Sequence, residues 1–210
     1  MTISYPLQLP TPSNGQGMGS IVFEYIDLVS VDPSMFTGEQ EVQEWAGKFR
    51  RAEVEYRDLN QEAFQEIFAR LVATYGATGT FLMGDPLRQA PRGSVAGTPL
   101  VNGANAAGSK TLAVKGFTPS QTDVLKAGDT FHVGSSTTQY LYEVVNTDVD
   151  SDGSGNATVQ IWPTLRVALS DGASITTTSA QGVFRRIGSL RTGRTPGNLF
   201  SISFTAVEAI

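Results

Sequence analysis

Four groups of residues have types and spacings that could carry chemistry. Asp148, Asp150 and Asp152, followed by Gly153, reproduce the opening of a calcium loop, D-x-D-x-D-G. Calcium takes several oxygen ligands, and that loop class supplies a bidentate Glu at its twelfth position. Here the twelfth position is Val159, and the flanks Leu141–Val145 and Ala157–Ile161 pattern as strands. The stretch from Asp148 to Asn156 therefore reads as a polar β-turn in which Asp, Gly and Asn supply unusual backbone angles. Gly103 to Thr111 approximates a phosphate loop, in which Lys follows the second Gly directly and a helix opens behind it. Ser109 stands between Gly108 and Lys110, and Thr111–Val114 patterns as a strand. Nucleotide binding is not expected there.

His132, the only histidine, lies in Asp129–Gly134. Alternation sets it on the opposite strand face from Phe131 and Val133. With no nucleophile-elbow pattern in the chain, it reads as a surface or interface histidine. The paired carboxylates Glu53 and Glu55 share a strand face with Arg51 and Arg57. Two positioned carboxyls could hydrolyse glycosides, but the arginines at both ends suit a polar face or a complementary subunit contact. Arg51, Glu53, Glu55 and Arg57 are the candidate interface residues. Trp45, Trp162 and Tyr140 could stack on sugars, and each reads equally well as core.

Composition narrows the chemistry further. The chain of 210 residues has no cysteine, which removes disulfides, thiol catalysis, Cys-based zinc sites and iron–sulfur clusters. No catalytic residue, cofactor or metal is expected. Lys+Arg 15 against Asp+Glu 20 leave a net charge of −5. That balance opposes sequence-independent nucleic-acid binding, which relies on clustered cations. Charged residues are 17% of the chain, below the roughly 25% of an average domain, so more of the surface is left to Gly, Ser, Thr, Asn and subunit contacts. No stretch approaches the ~20 apolar residues of a membrane span, and the N-terminus lacks the basic and apolar regions of a signal peptide. A soluble protein made in a cytoplasm is expected.

The elements that must position these residues are nearly all strands. Apolar Phe64, Ile67, Phe68, Leu71, Val72 and Tyr75 recur at 3,4 spacing and predict one amphipathic helix over about 60–75. Asp58 or Asn60 caps its start and Gly76 suits the left-handed position after its end. Ala52, Val54 and Tyr56 alternate with charged residues, as Phe200, Ile202, Phe204 and Ala206 alternate with Ser and Thr. Each pattern predicts a strand buried on one face. Further strands are expected at Ser20–Val29, Thr80–Met83, Thr111–Val114, Thr130–Val133, Tyr140–Asn146, Ala157–Trp162, Ser174–Thr178 and Gly182–Ile187. Gly84–Gly108 is rich in turn formers. Short strands at 8–15-residue spacing follow, the pattern of a small barrel or sandwich. The expected fold class is mainly β: residues 1–88 and 182–210 as a β-sandwich belt domain carrying the helix, and 89–181 as an inserted small β-barrel domain. A linear two-domain split is the alternative.

Gly79-Thr80-Phe81-Leu82-Met83-Gly84-Asp85-Pro86 with Pro91-Arg92-Gly93, the module from Leu125 through Tyr142 and Asp152 to Arg166, Gly182-Val183-Phe184-Arg185-Arg186 and the closing Phe200–Glu208 resemble the distal tail proteins of siphophages, the long flexible-tailed phages. The resemblance covers roughly residues 40–210, and its motifs are structural. It implies a virion structural protein of the tail tip, assembled in the host cytoplasm. Six copies would form a ring joining the tail tube protein to the hub and tape-measure proteins and to receptor-binding or fibre proteins. The first 35 residues depart from the pattern; Pro6, Pro10, Pro12, Gly15, Gly17 and Gly19 suggest an extended arm before the strand at Ser20. A phage-borne glycan-degrading enzyme or a carbohydrate-binding module is the alternative.

Overall fold

The computed structural model describes residues 3–10, 18–45, 47–135 and 138–209. The chain is mainly β, 48% strand and 6% helical. In chain order the elements are β1 (Leu7–Gln8), β2 (Met18–Ile26), β3 (Val29–Pro33), β4 (Gln40–Glu44), β5 (Phe49–Leu59), α1 (Gln61–Val72), β6 (Phe81–Met83), β7 (Gly97–Val101), β8 (Thr111–Phe117) and β9 (Leu125–Lys126). They continue with β10 (Thr130–Val133), β11 (Tyr140–Val144), β12 (Asp148–Val149), β13 (Ala157–Trp162), β14 (Ile175–Thr176), β15 (Gly182–Thr195) and β16 (Leu199–Glu208).

One six-stranded sheet, in the order β1-β6-β15-β16-β5-β2, curves into a half-barrel. Its β5 and β16 are the two alternating segments, and the alternation sorts as the sequence requires: Ala52, Val54, Tyr56, Ile202, Phe204 and Ala206 are all buried. Helix α1 covers this apolar face. Asn60 Oδ1 accepts from the Ala63 N–H at 2.8 Å and caps the first turn. Ile67 and Leu71 are buried in one apolar cluster with Phe81, Ile202 and Phe204, while the Phe64 and Phe200 rings stack 4.6 Å apart. Each buried aliphatic side chain contributes about 1.5–3 kcal/mol, so the helix is held by its face more than by its twelve-residue length. It is shorter than the sequence pattern predicts. After Val72 the chain turns, Tyr75 adopts φ 49° and Gly76 φ 76°, and both Val72 and Tyr75 are exposed instead of extending the stripe.

The second six-stranded sheet, β14-β10-β11-β13-β8-β7, nearly closes on itself. An antiparallel bridge between Leu100 and Ser174 brings β7 to the segment before β14. Its interior is a separate apolar cluster around Val101, Leu112, Phe131, Tyr142, Val159 and Leu165. The chain leaves the half-barrel after β6 and returns at β15, where Met83 pairs with Gly182. Gly84 permits that approach: a Cβ there would lie 2.0 Å from the Ala180 carbonyl oxygen.

Several strand ends moved. β15 runs eight residues past Ile187, because a register shift between Ile187 and Arg191 absorbs Gly188–Leu190 and pairing with β16 resumes. β14 keeps only two residues of the expected five. Before β2, Leu7–Gln8 pairs parallel with β6; of the expected arm, Pro12, Gly15 and Gly17 lie outside the described residues, and Gly19 already belongs to β2. Residues 29–44, which carried no expected strand beyond Val29, form the separate hairpin β3–β4. Among the described residues no helix is long and apolar enough to cross a membrane.

Candidate functional site

Arg50 stands at the contact between the half-barrel and the barrel. It is 2% exposed, and its position follows from alternation: the even-numbered residues from Arg50 to Tyr56 face inward. At the end of that face the apolar run gives way to charge. Arg50 Nη1 donates to the Leu141 carbonyl of β11 at 2.8 Å, and Glu208 accepts from the Arg50 backbone N–H at 3.1 Å. Glu208 also pairs with Arg166 at 2.9 Å. The Arg50 guanidinium lies over the Trp162 ring at 4.7 Å and near the Tyr25 ring at 5.7 Å. Tyr25 in turn donates to Glu143 at 2.7 Å, and Arg88 pairs with Glu143 at 2.9 Å. Burial pulls the guanidinium below its ordinary value, and Glu208, Tyr25 and Glu143 act against that to hold the charge. Burial, then the bond to Glu143, raises the Tyr25 phenol, which stays protonated as the donor. Leu141 belongs to the half-barrel's apolar cluster although β11 is a barrel strand. The junction is thus an apolar and ionic weld that fixes how the two bodies are oriented.

The candidate interface residues lie on the opposite face of β5. Arg51, Glu53, Glu55 and Arg57 do share one side, beside Ser203, Thr205 and Val207 of β16. They form a charge ladder: Arg51 reaches Glu24 at 3.8 Å and Glu53 at 3.7 Å, and Arg57 reaches Glu55 at 2.8 Å. The bond from Arg57 holds the Glu55 carboxyl below the usual range. A carboxyl held charged suits ion pairing, not proton donation at neutral pH. A depression of about 460 Å³ opens on this face, between the ladder and Arg191 on β15.

The other singled-out residues are dispersed. His132 is buried, not on the surface, with its Nδ1 accepting from the Gln181 backbone N–H at 3.2 Å. The face opposite Phe131 and Val133 meets the returning chain before β15, so turning away from the barrel interior does not mean turning toward water. Burial lowers its pKa. Asp152 lies in the tight turn before β13, where its Oδ1 accepts from the backbone N–H of Ser154 and of Asn156, each at 2.8 Å. Those bonds lower its pKa and turn the carboxylate inward to its own loop. Lys110 precedes strand β8 and pairs with Glu44 at 2.7 Å. Trp162 is part of the junction, Tyr140 packs against the barrel core, and Trp45 is 57% exposed. Thus the three aromatics form no common platform.

Sequence reasoning missed the junction, although it left a signal. Arg50 and Glu208 share parity with the apolar faces of β5 and β16. A charge on a buried parity marks a buried pair, because an unpaired one would be too costly.

The hairpin β3–β4 is the other feature beyond the sequence reading. All ten of its strand residues are exposed. Val31 and Val42 are about half exposed, while Met35 and Phe36 at the turn are 97% and 99% exposed. Its base is held by Glu44, paired with Lys48 at 2.5 Å and with Lys110 at 2.7 Å. Those two ammonium groups lower the Glu44 carboxyl to about 2, so the mooring stays charged at neutral pH. Comparison with protein-family models and with curated proteins finds no match for the chain.

Proposed function

We propose that the chain is a virion structural protein of a phage tail tip. In this reading, copies form a ring that joins the tail tube protein to the hub and tape-measure proteins and to receptor-binding or fibre proteins. The observation that carries the reading is the hairpin β3–β4, exposed on both faces with Met35 and Phe36 in solvent. A two-stranded hairpin is marginal alone in water, and apolar side chains gathered on such a projection mark a surface that is covered in an assembly. The charge ladder on β5 supports it, since alternating charges fix register between partners and penalise wrong ones. The siphophage distal-tail resemblance supplies the kind of assembly and the expected number of copies, six.

A closed ring needs a heterologous interface, one face of a subunit meeting a different face of the next. Native mass spectrometry of the purified chain, with imaging of tail tips, tests the reading. A six-fold particle is the expected result. A chain that stays monomeric both alone and in particles overturns it.

A further inference from the structure

We infer that the acidic hairpin β3–β4 of one copy docks on the arginine-bearing end of the β15–β16 hairpin of a second copy. The inference rests on the proposed ring and names the two surfaces that would close it. From Asp27 to Glu44 the chain carries Asp27, Asp32, Glu39, Glu41 and Glu44 and no Lys or Arg. Asp27 and Glu44 are engaged by Lys48. Asp32, Glu39 and Glu41 are exposed, and no ion pair among the described residues includes them. They surround an apolar tip, Met35 and Phe36, that nothing in its own chain covers among the described residues.

The complementary surface is the far end of β15–β16. From Gly188 to Leu199 the chain carries Arg191 and Arg194 and no Asp or Glu. Every residue from Arg191 to Leu199 is exposed, and neither arginine is in an ion pair among the described residues. Leu199 and Pro196 at the turn offer apolar surface beside the two cations.

Topology keeps the two surfaces apart within one chain. The acidic hairpin grows from the end of the sheet where Ile26 pairs with Phe49; the basic end lies where Phe200 pairs with Leu59. Ten residue steps of β5 separate those pairs, roughly 33 Å at ~3.3 Å per residue. Complementary charges at opposite ends of one subunit cannot satisfy each other internally, and they meet naturally in a head-to-tail contact between copies.

Charge reversal tests this in the full chain. D32K/E39K/E41K and R191E/R194E alter only exposed side chains, and unchanged far-ultraviolet circular dichroism and melting would verify that each variant folds. By native mass spectrometry and sedimentation, each variant alone should self-associate at least ~10-fold more weakly than the parent, because like charges now face each other. An equimolar mixture of the two should recover assembly, as should the chain carrying both sets. If the parent assembles and both single-set variants assemble equally well, the docking inference is overturned while the ring reading stands, and the acidic hairpin is left for a different, basic partner. If the variants weaken but neither the mixture nor the combined chain recovers, direct pairing of these two surfaces is likewise overturned. A parent chain that does not assemble under any condition overturns the ring reading and the inference with it.

Discussion

Arg50 and Arg51 are adjacent in the chain and have opposite fates. Arg50 is 2% exposed and welded to Glu208, Leu141 and Trp162; the Arg51 side chain is 40% exposed in a loose ladder with Glu24 and Glu53. The backbone pleat alone separates them, since successive side chains of a strand leave by opposite faces. The energetic consequence is large. A charge out of water must have partners, and removing a partner leaves the rest exposed to the desolvation cost. A charge in water is screened and mobile, and its pair is worth little. On the same strand, one cation holds the two bodies of the protein together, while its neighbour is free to meet another molecule.

The sharpest way to break the comparison is to remove each arginine in turn. Arg50→Ala should lower unfolding stability by about 3 kcal/mol, the low end of the 3–5 kcal/mol range for breaking a buried pair, because Arg166 still pairs with Glu208. Urea or thermal unfolding measures it. Adding Glu208→Ala to Arg50→Ala should cost less than the sum of the two single changes, since both changes break the same Arg50–Glu208 pair. Equal, additive losses would mean that the two side chains are not coupled. Arg51→Ala, by contrast, should change stability by no more than about 0.5 kcal/mol. If the outer ladder meets a neighbouring copy, a combined R51A/R57A variant would keep its melting temperature and lose assembly. A stability loss comparable to that of Arg50→Ala would erase the distinction between the faces.

The smallest effect concerns His132, a buried titratable group packed against the chain returning to the half-barrel. The folded protein holds His132 below the ordinary 6.5 through burial. The unfolded chain therefore binds more protons between those values. The associated stability is complete above about 6.5 and is lost as pH falls through 6.5 toward the folded value. The melting temperature should drop between pH 7.5 and 5.5. In His132→Asn, whose side-chain oxygen can accept from the Gln181 N–H in place of Nδ1, it should stay nearer level over that window. Identical pH profiles for the two proteins would show that His132 is not the group responsible.

Much of the half-barrel was legible. Ala52, Val54 and Tyr56, and Ile202, Phe204 and Ala206, announce buried faces by period alone, and the helix declares itself by Phe64, Ile67, Phe68 and Leu71 with its Asn60 cap. The extent of elements was less legible. Val72, the last residue of the helix, and Tyr75 continue the apolar spacing but are exposed, and beyond the helix end Tyr75 and Gly76 take the backbone into the left-handed region. β15 extends through Gly188–Leu190 although no alternation survives there, because β16 supplies backbone partners on both sides of the shift. The hairpin β3–β4 was hard to read because Val29-Ser30-Val31-Asp32 alternates over only four residues and Gln40–Glu44 holds a single apolar residue, Val42.

For the candidate site, residue type and parity were enough to group Arg51, Glu53, Glu55 and Arg57 on one face, because the pleat is a local property of any extended chain. The same local rule put His132 opposite Phe131 and Val133. What lies on that far side is not local. Leu141, Gln181 and the returning chain cover it, and that packing requires segments about fifty residues apart to meet. Arg50 and Glu208 are 158 positions apart; sequence marked each as a charge on an apolar face, and only the tertiary structure made each the other's partner. Periodicity and composition thus determined the strands, the helix and their faces, which are set by neighbours a few residues away. Which faces are covered, which charges are paired and which hairpin is left bare were decided by contacts between distant segments, because burial is a property of the assembled chain.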